Sequence, residues 1–162
     1  MTRDFSLRFE STLHASREQV WKWITSVDGI LAEMRPYLRM TTPKGLRSLA
    51  DIRVIPGEPM FRSRIFLFGF IPFGHSDMTL MEFEPGRGFV EQSPMGSMEL
   101  WRHERRIEPD PNNPEAVVLI DQLTFRPRFA RPIVGWFIRR IFEHRHGVLR
   151  AALGGTTGAR SR

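Results

Sequence analysis

The change of hydropathy period near Pro127 constrains this chain more than any other feature. From about residue 38 to 128, apolar residues come in short runs cut by Pro43, Gly45, Pro56-Gly57, Pro72, Gly74, Pro85-Gly86, Pro94, Gly96 and the stretch Pro109 to Pro114. That is the spacing of strands joined by tight turns. Beyond Pro127, Ile133, Phe137, Ile141, His144 and Val148 recur at helical spacing, widened by Val134, Ile138 and Leu149, and predict one long amphipathic helix. Pro132 suits its first turn and Gly154-Gly155 its end. An antiparallel meander followed by such a helix must bury the helical stripe against the inner face of the sheet. A curved sheet wrapped around a helix leaves room for a cavity between them.

Upstream of the meander, Phe5, Leu7 and Phe9 alternate with Ser6, Arg8 and Glu10, so residues 4 to 13 read as a half-buried strand. Ser16 and Gln19 have capping-box spacing and open a helix whose apolar face is Val20, Trp21, Trp23 and Ile24. Asp28 is the expected cap of a second short helix carrying Ile30, Leu31 and Met34, which Pro36 ends. No repeat and no low-complexity linker interrupts the 162 residues. Residues 1–155 therefore read as one domain and 156–162 as a flexible tail.

Composition excludes several classes. No run reaches the ~18 apolar residues of a membrane span, and MTRDFSLRFE carries charges where a signal peptide needs apolar residues, so a cytoplasmic protein is expected. The chain has no cysteine, which removes disulfides, thiol nucleophiles and thiolate metal sites. The net charge is +6, and all 24 basic residues except Lys22 and Lys44 are arginine. That bias fits oxyanion recognition, and it fits the base composition of a source genome equally well. The arginines are scattered from Arg3 to Arg162 without interleaved stacking aromatics, so no nucleic-acid partner is expected. HExxH, Walker, GxGxxG and GxSxG patterns are absent, and neither a metal nor a nucleotide cofactor is expected. His144 and His146, two apart on a helix, cannot share a metal ion; His144 aimed at the cavity is a candidate ligand contact. His14 and His75 read as loop residues.

The segment 97 to 125 is the richest in polar groups. It reads as a hairpin closed by a loop from Glu108 to Pro114, and symmetric closure sets His103 opposite Asp121, Trp101 opposite Leu123 and Ile107 opposite Val117. One face carries Trp101, Ile107, Val117, Leu119, Leu123 and Phe125 and is the inner one. The same face holds Glu99, His103, Arg105 and Asp121. An imidazole beside a carboxylate on an apolar wall has two readings: Asp121 orients His103 for acid–base work, or the pair fixes strand register. The 13 Phe, 4 Trp, 1 Tyr and 8 Met likewise serve as core or as the lining of an adaptable pocket. Met78 with Leu80, or Thr79 with Met81, could face it.

Taken in order, these motifs resemble the START-like (SRPBCC, Bet v 1-like) superfamily over Phe5 to about Leu153. The resemblance rests on the opening strand followed by Ala15-Ser16-Arg17-Glu18-Gln19-Val20-Trp21 and on a W-x-H strand at Trp101 and His103. It rests also on an Asp-containing strand from Asp121 to Pro127 and a helix bearing Ile141-Phe142-Glu143-His144-Arg145-His146. The W-x-H strand is similar to that of a bacterial subgroup. The resemblance implies an α+β helix-grip fold, with a curved antiparallel sheet of about seven strands around the C-terminal helix and two short helices after strand one. It also implies a cavity for a small hydrophobic or amphipathic ligand of lipid, quinone or aromatic type. The expected walls are Trp101, Leu119, Leu123, Phe137 and Ile141, with His103, Asp121, Arg105 and His144 at polar positions. The alternatives are a cofactor-independent polyketide cyclase or dehydratase with His103 and Asp121 as catalytic residues, and a membrane- or partner-docking module using Arg139, Arg140, Arg145 and Arg150 beside Trp136.

Overall fold

Strand β1 (Phe5–Leu13) turns Leu7, Ser11 and Leu13 inward, and the chain then enters helix α1 (Arg17–Thr25) through a complete capping box between Ser16 and Gln19. Helix α2 (Val27–Met34) follows directly. Its cap is Ser26, whose Oγ accepts from the Gly29 amide at 3.0 Å; the expected cap, Asp28, lies in the first turn instead. The computed structural model describes residues 3–157. In it the chain continues through β2 (Leu38–Met40), β3 (Pro59–Leu67), β4 (Ile71–Glu84), β5 (Gly88–Gln92), β6 (Met98–Pro109), β7 (Val117–Pro127), helix α3 (Arg131–Leu153) and β8 (Gly155–Thr157). His75 lies within β4, not in a loop.

The strands form one antiparallel sheet in the order β2-β3-β4-β5-β6-β7-β1-β8, and α3 lies across its inner face. The architecture is the expected α+β helix grip, with eight strands where about seven were expected. The additional one is β8, where Thr156 and Thr157 pair with Thr12 and Ser11. Thr156 and Thr157, expected in a flexible tail, are sheet, and residues 158–162 lie outside the described residues. Gly154 leaves α3 at φ +65°. A Cβ on Gly155 would sit 2.5 Å from the Thr12 carbonyl oxygen, so only glycine allows β8 to approach β1 this closely.

The aromatic run Phe66, Phe68 and Phe70 does not form one strand. β3 ends at Leu67, and a turn with Phe68 at φ +53° and Gly69 at φ +87° leads into β4. Inward positions on β3 are Ser63 and Ile65, while Phe66 lies outside under the Arg39 guanidinium, 4.1 Å from its ring centre.

Each long element that crosses the interior carries apolar, then ionic, then apolar residues. Along β7 the order is Val117 and Leu119, then Asp121, then Leu123 and Phe125; along β6 it is Trp101, then His103 and Arg105, then Ile107. Helix α3 reads Ile138, Ile141 and Phe142, then Arg145 and His146, then Leu149, and β1 reads Leu7, Ser11, Leu13. The apolar residues on either side form two separate clusters, one around Leu13, Ile107, Leu119 and Leu149 beneath α1, the other around Trp101, Leu123, Phe125 and Ile141. A layer of buried charge divides them.

Candidate functional site

The layer is assembled by β6 and β7. The hairpin register is offset by two residues from symmetric closure: Arg105 faces Asp121, His103 faces Leu123 and Ile107 faces Leu119. The cause is the loop, where the Asp110 and Asn113 side chains accept from the amides of Asn112 and Glu115 and shape the turn. Because the offset is even, every residue keeps its face. His103 therefore reaches Asp121 diagonally, with Nε2 2.6 Å from Oδ1. Glu99 is the exception. A bulge between Met98 and Leu100 turns it outward, within 3.6 Å of Arg126.

Arg105 is fully buried and uses four of its five N–H donors. Its Nε and Nη2 donate to the two oxygens of Asp121, both at 2.8 Å, and its Nη1 and Nη2 donate to Glu33 at 3.1 and 2.8 Å. Glu33, from α2, also accepts from Trp23 Nε1 at 3.1 Å and from Arg145 Nε at 3.1 Å. Asp121 accepts from His146 Nε2 at 2.8 Å. The other nitrogen of that ring, Nδ1, lies 2.7 Å from Ser11 Oγ, which accepts from Arg150 at 2.9 Å. Glu91, from β5, accepts from Ser93 Oγ at 2.7 Å and Trp101 Nε1 at 3.3 Å, and its Oε1 lies 3.8 Å from His103 Nδ1.

Burial by itself would raise the pKa of these carboxyls, and their partners reverse it. Arg105 and His103 hold Asp121 well below the usual carboxylate range, Arg105 and Arg145 hold Glu33 down, and His103 with Ser93 and Trp101 holds Glu91 down. For Arg105, burial opposes the charge, yet Asp121 and Glu33 keep its pKa above the ordinary value. Arg145 differs: burial and the neighbouring Arg105 depress it, and Glu33 and Asp121 compensate only in part.

Above this layer lies a cavity of about 380 Å³ between α2, α3 and the sheet. Its walls are apolar: Ile30, Leu31 and Met34 of α2, Phe61, Ile65 and Leu67 of β3, Met78, Met95 and Met98 from the sheet, and Val134, Phe137 and Ile141 of α3. Glu91, His103 and Arg145 bring ionisable groups to the end that meets the ionic layer, and Thr42, Ser63 and Ser97 add hydroxyl-bearing side chains elsewhere on the lining. The mouth is aromatic, with Phe68, Phe129 and Trp136 exposed by 51 to 61% and Ile133 beside them.

Of the residues expected at the site, Trp101, His103, Phe137 and Ile141 line the cavity. Leu119 belongs to the cluster beneath α1, and Leu123 is fully buried behind the wall. Arg105 and Asp121 sit in the ionic layer and do not border the cavity, because Glu33, His146 and Arg145 cover them from the helices. His144 bonds the Arg35 carbonyl and stands edge-on to Tyr37, away from the cavity. The arginine patch on α3 also divides: Arg139 and Arg140 are exposed, but Arg145 is buried and Arg150 turns in to Ser11. Nothing local marks Glu33 or Glu91 as interior, and the sequence reading sets Arg145 on a docking face and His146 beside His144, not in a buried layer. A charged residue inside a helical pattern reads as a solvent face, and only tertiary partners show otherwise. Met78 faces the cavity, whereas Leu80 packs in the opposite cluster.

No helix among the described residues is long and apolar enough to cross a membrane. No curated protein matches the chain. Several solved structures share its fold. The ZhuI aromatase/cyclase of a Streptomyces species superposes with a TM-score of 0.66 at 12% identity, over 93% of this chain and 94% of that one. A protein from Chromobacterium violaceum gives 0.65 at 16% identity, over 91% and 96%. A START superfamily protein from Mycobacterium smegmatis gives 0.61 at 11%, also over 91% and 96%. At these identities the likeness concerns the fold, which is START-like. In sequence, residues 11–153 match the family described as domain of unknown function DUF8410, and the chain belongs to that family.

Proposed function

We propose that this protein binds a small hydrophobic or amphipathic molecule in the cavity between the sheet and α3. The cavity carries the reading. Its volume of about 380 Å³ lies within the range of small-molecule sites, and apolar walls with a few convergent polar groups are the usual composition of such a site. Five methionines, Met34, Met40, Met78, Met95 and Met98, border it and give walls that adapt to shape. Affinity comes mainly from apolar area, about 25 cal/mol per Å² before the costs of association. The START-like neighbours support the same reading. Native mass spectrometry of freshly purified protein, followed by organic extraction, tests it: a discrete lipid-like or aromatic adduct is expected. Phe137→Asp, which puts charge on the wall, should remove the adduct; an adduct retained at full occupancy overturns this placement.

A second reading has its own observation. His103 borders the cavity, and Asp121 grips its Nε2 at 2.6 Å, leaving Nδ1 on the side of Glu91. In a cyclase or dehydratase, His103 would move a proton on a bound polyketide and Asp121 would orient the ring, as the aromatase/cyclase neighbour suggests. Incubation with a linear polyketide analogue, followed by mass loss of water, tests this. Turnover that His103→Gln abolishes while binding persists supports catalysis; no cyclised product sets it aside.

A further inference from the structure

The two arginines of the ionic layer are used differently. Arg105 spends both edges of its guanidinium on Asp121 and Glu33. Arg145 is only 4% exposed and borders the cavity. Its Nε donates to Glu33 Oε1, and its Cζ lies over the Phe142 ring, 4.8 Å from the ring centre. Among the described residues, its two terminal nitrogens have no hydrogen-bond partner. These donors open onto the apolar cavity, where a bound molecule can supply the acceptors that the protein does not.

We propose that Arg145 anchors the head of the ligand, and that this head is a carboxylate on an otherwise apolar molecule. This rests on the ligand-binding reading above and narrows it to a chemical class. Two parallel N–H groups on one guanidinium edge match the two oxygens of a carboxylate, and the paired, charged bonds exceed what a single hydroxyl or carbonyl oxygen accepts. The Phe142 face and the Glu33 bond hold the plane in place before the ligand arrives, so less conformational freedom is lost on binding. The apolar body then extends past Ile141 and Phe137 towards the mouth.

The charges around Arg145 bear on this assignment. Glu33, Glu91 and Asp121 contribute three formal negatives against the two positives of Arg105 and Arg145. Glu33 and Asp121 are already covered by donors from Arg105, Trp23 and the two histidines. Glu91 is the competing group, since it also borders the cavity, and both its oxygens already accept hydrogen bonds from Ser93 and Trp101. Of the two guanidinium groups, Arg145 is the one that borders the cavity, and its terminal nitrogens have no protein partner among the described residues. A cationic head would meet them as like charges.

The test compares matched heads on one chain. Decanoate, decanol and decylamine are titrated calorimetrically into delipidated wild-type protein, with naphthoate and naphthol as a flat-ring pair. The acid should bind tightest in either pair, and Arg145→Met should weaken acid binding roughly tenfold to a hundredfold, with the alcohol nearly unchanged. If the alcohol binds as well as the acid, the carboxylate assignment falls while the ligand-binding reading stands. If decylamine binds tightest, Glu91 reads the head and the proposal is overturned. If no probe binds, the proposal falls together with the reading on which it rests. Should Arg145→Met fail to fold, the wild-type comparison still decides, supplemented by the ¹³C shift of carboxyl-labelled decanoate. A bound shift like that of free decanol-diluted acid in the neutral form refutes an ionised head on Arg145.

Discussion

Replacing Arg105 with methionine removes the cation that Asp121 and Glu33 share. Four hydrogen bonds of 2.8 to 3.1 Å are lost, and two fully buried carboxylates keep their remaining donors but lose their main counter-charge. Methionine fills most of the volume, so the cost is electrostatic. Breaking a buried pair by removing one partner costs about 3–5 kcal/mol, a large share of the ~5–15 kcal/mol that holds a domain folded. With a urea slope near ~2 kcal/mol/M, that moves the midpoint down by about 2 M. Equilibrium urea unfolding followed by tryptophan fluorescence and circular dichroism measures it. The pH dependence supplies a second check. Both carboxyls are held below their ordinary values in the folded protein, so their stabilisation is present above about pH 4.5 and fades as pH falls through the folded values. In the variant that depression is relieved, so the deficit should be full near neutrality and shrink on acidification. A neutral-pH loss under about 1 kcal/mol, or a deficit that does not shrink in acid, refutes Arg105 as the neutralising group.

Three other substitutions separate the roles of named residues. Leu119→Ala should cost about 2–5 kcal/mol yet leave ligand affinity unchanged, since Leu119 packs beneath α1; calorimetry on the folded variant checks both. A Cβ on Gly135 would lie 2.6 Å from the Phe5 ring, so Gly135→Ala should lower stability by about 1–3 kcal/mol despite better helix propensity, and Phe5→Leu in the same chain should recover part of it in thermal melts. Ser16→Ala removes the capping-box acceptor of α1 and should cost about 1 kcal/mol in urea unfolding, with no change at the cavity.

The order of elements was legible because each rests on local chemistry: the Ser16–Gln19 box, the turn residues of the meander, the period of α3. The inner face of β6 and β7 was legible for a similar reason, since alternation survives an even slip in register. The residue directly opposite Asp121 was not, because the register depended on how Asp110 and Asn113 shape a loop, although His103 still reaches Asp121 diagonally. Glu33 carries no local mark of burial; its reason to be inside lies 72 residues away at Arg105. On α3 the expected stripe through His144 and Val148 is rotated from the buried one through Phe142, Arg145, His146 and Leu149. Hydropathy weights a charge as solvated, so it could not see a face that buries an arginine against a glutamate. The strand β8 escaped because three residues of Gly and Thr carry no period.

The charged layer that divides the interior also divides the molecule in time. Beneath it, Leu13, Val20, Ile24, Leu119 and Leu149 pack into a buried cluster bounded by the long central strands. Above it, the walls are one short helix, the three-residue β2 and the hairpin of β3 with the first part of β4, arranged around empty space. Amide hydrogen exchange should therefore be slowest along β1, β6 and β7 near Leu13, Ile107 and Leu119, and fastest in α2, β2 and the β3–β4 hairpin. The half that opens is the half that holds the cavity. A ligand can then enter by local opening while the lower half stays closed, and the binding energy it brings is felt first as slower exchange at the upper rim.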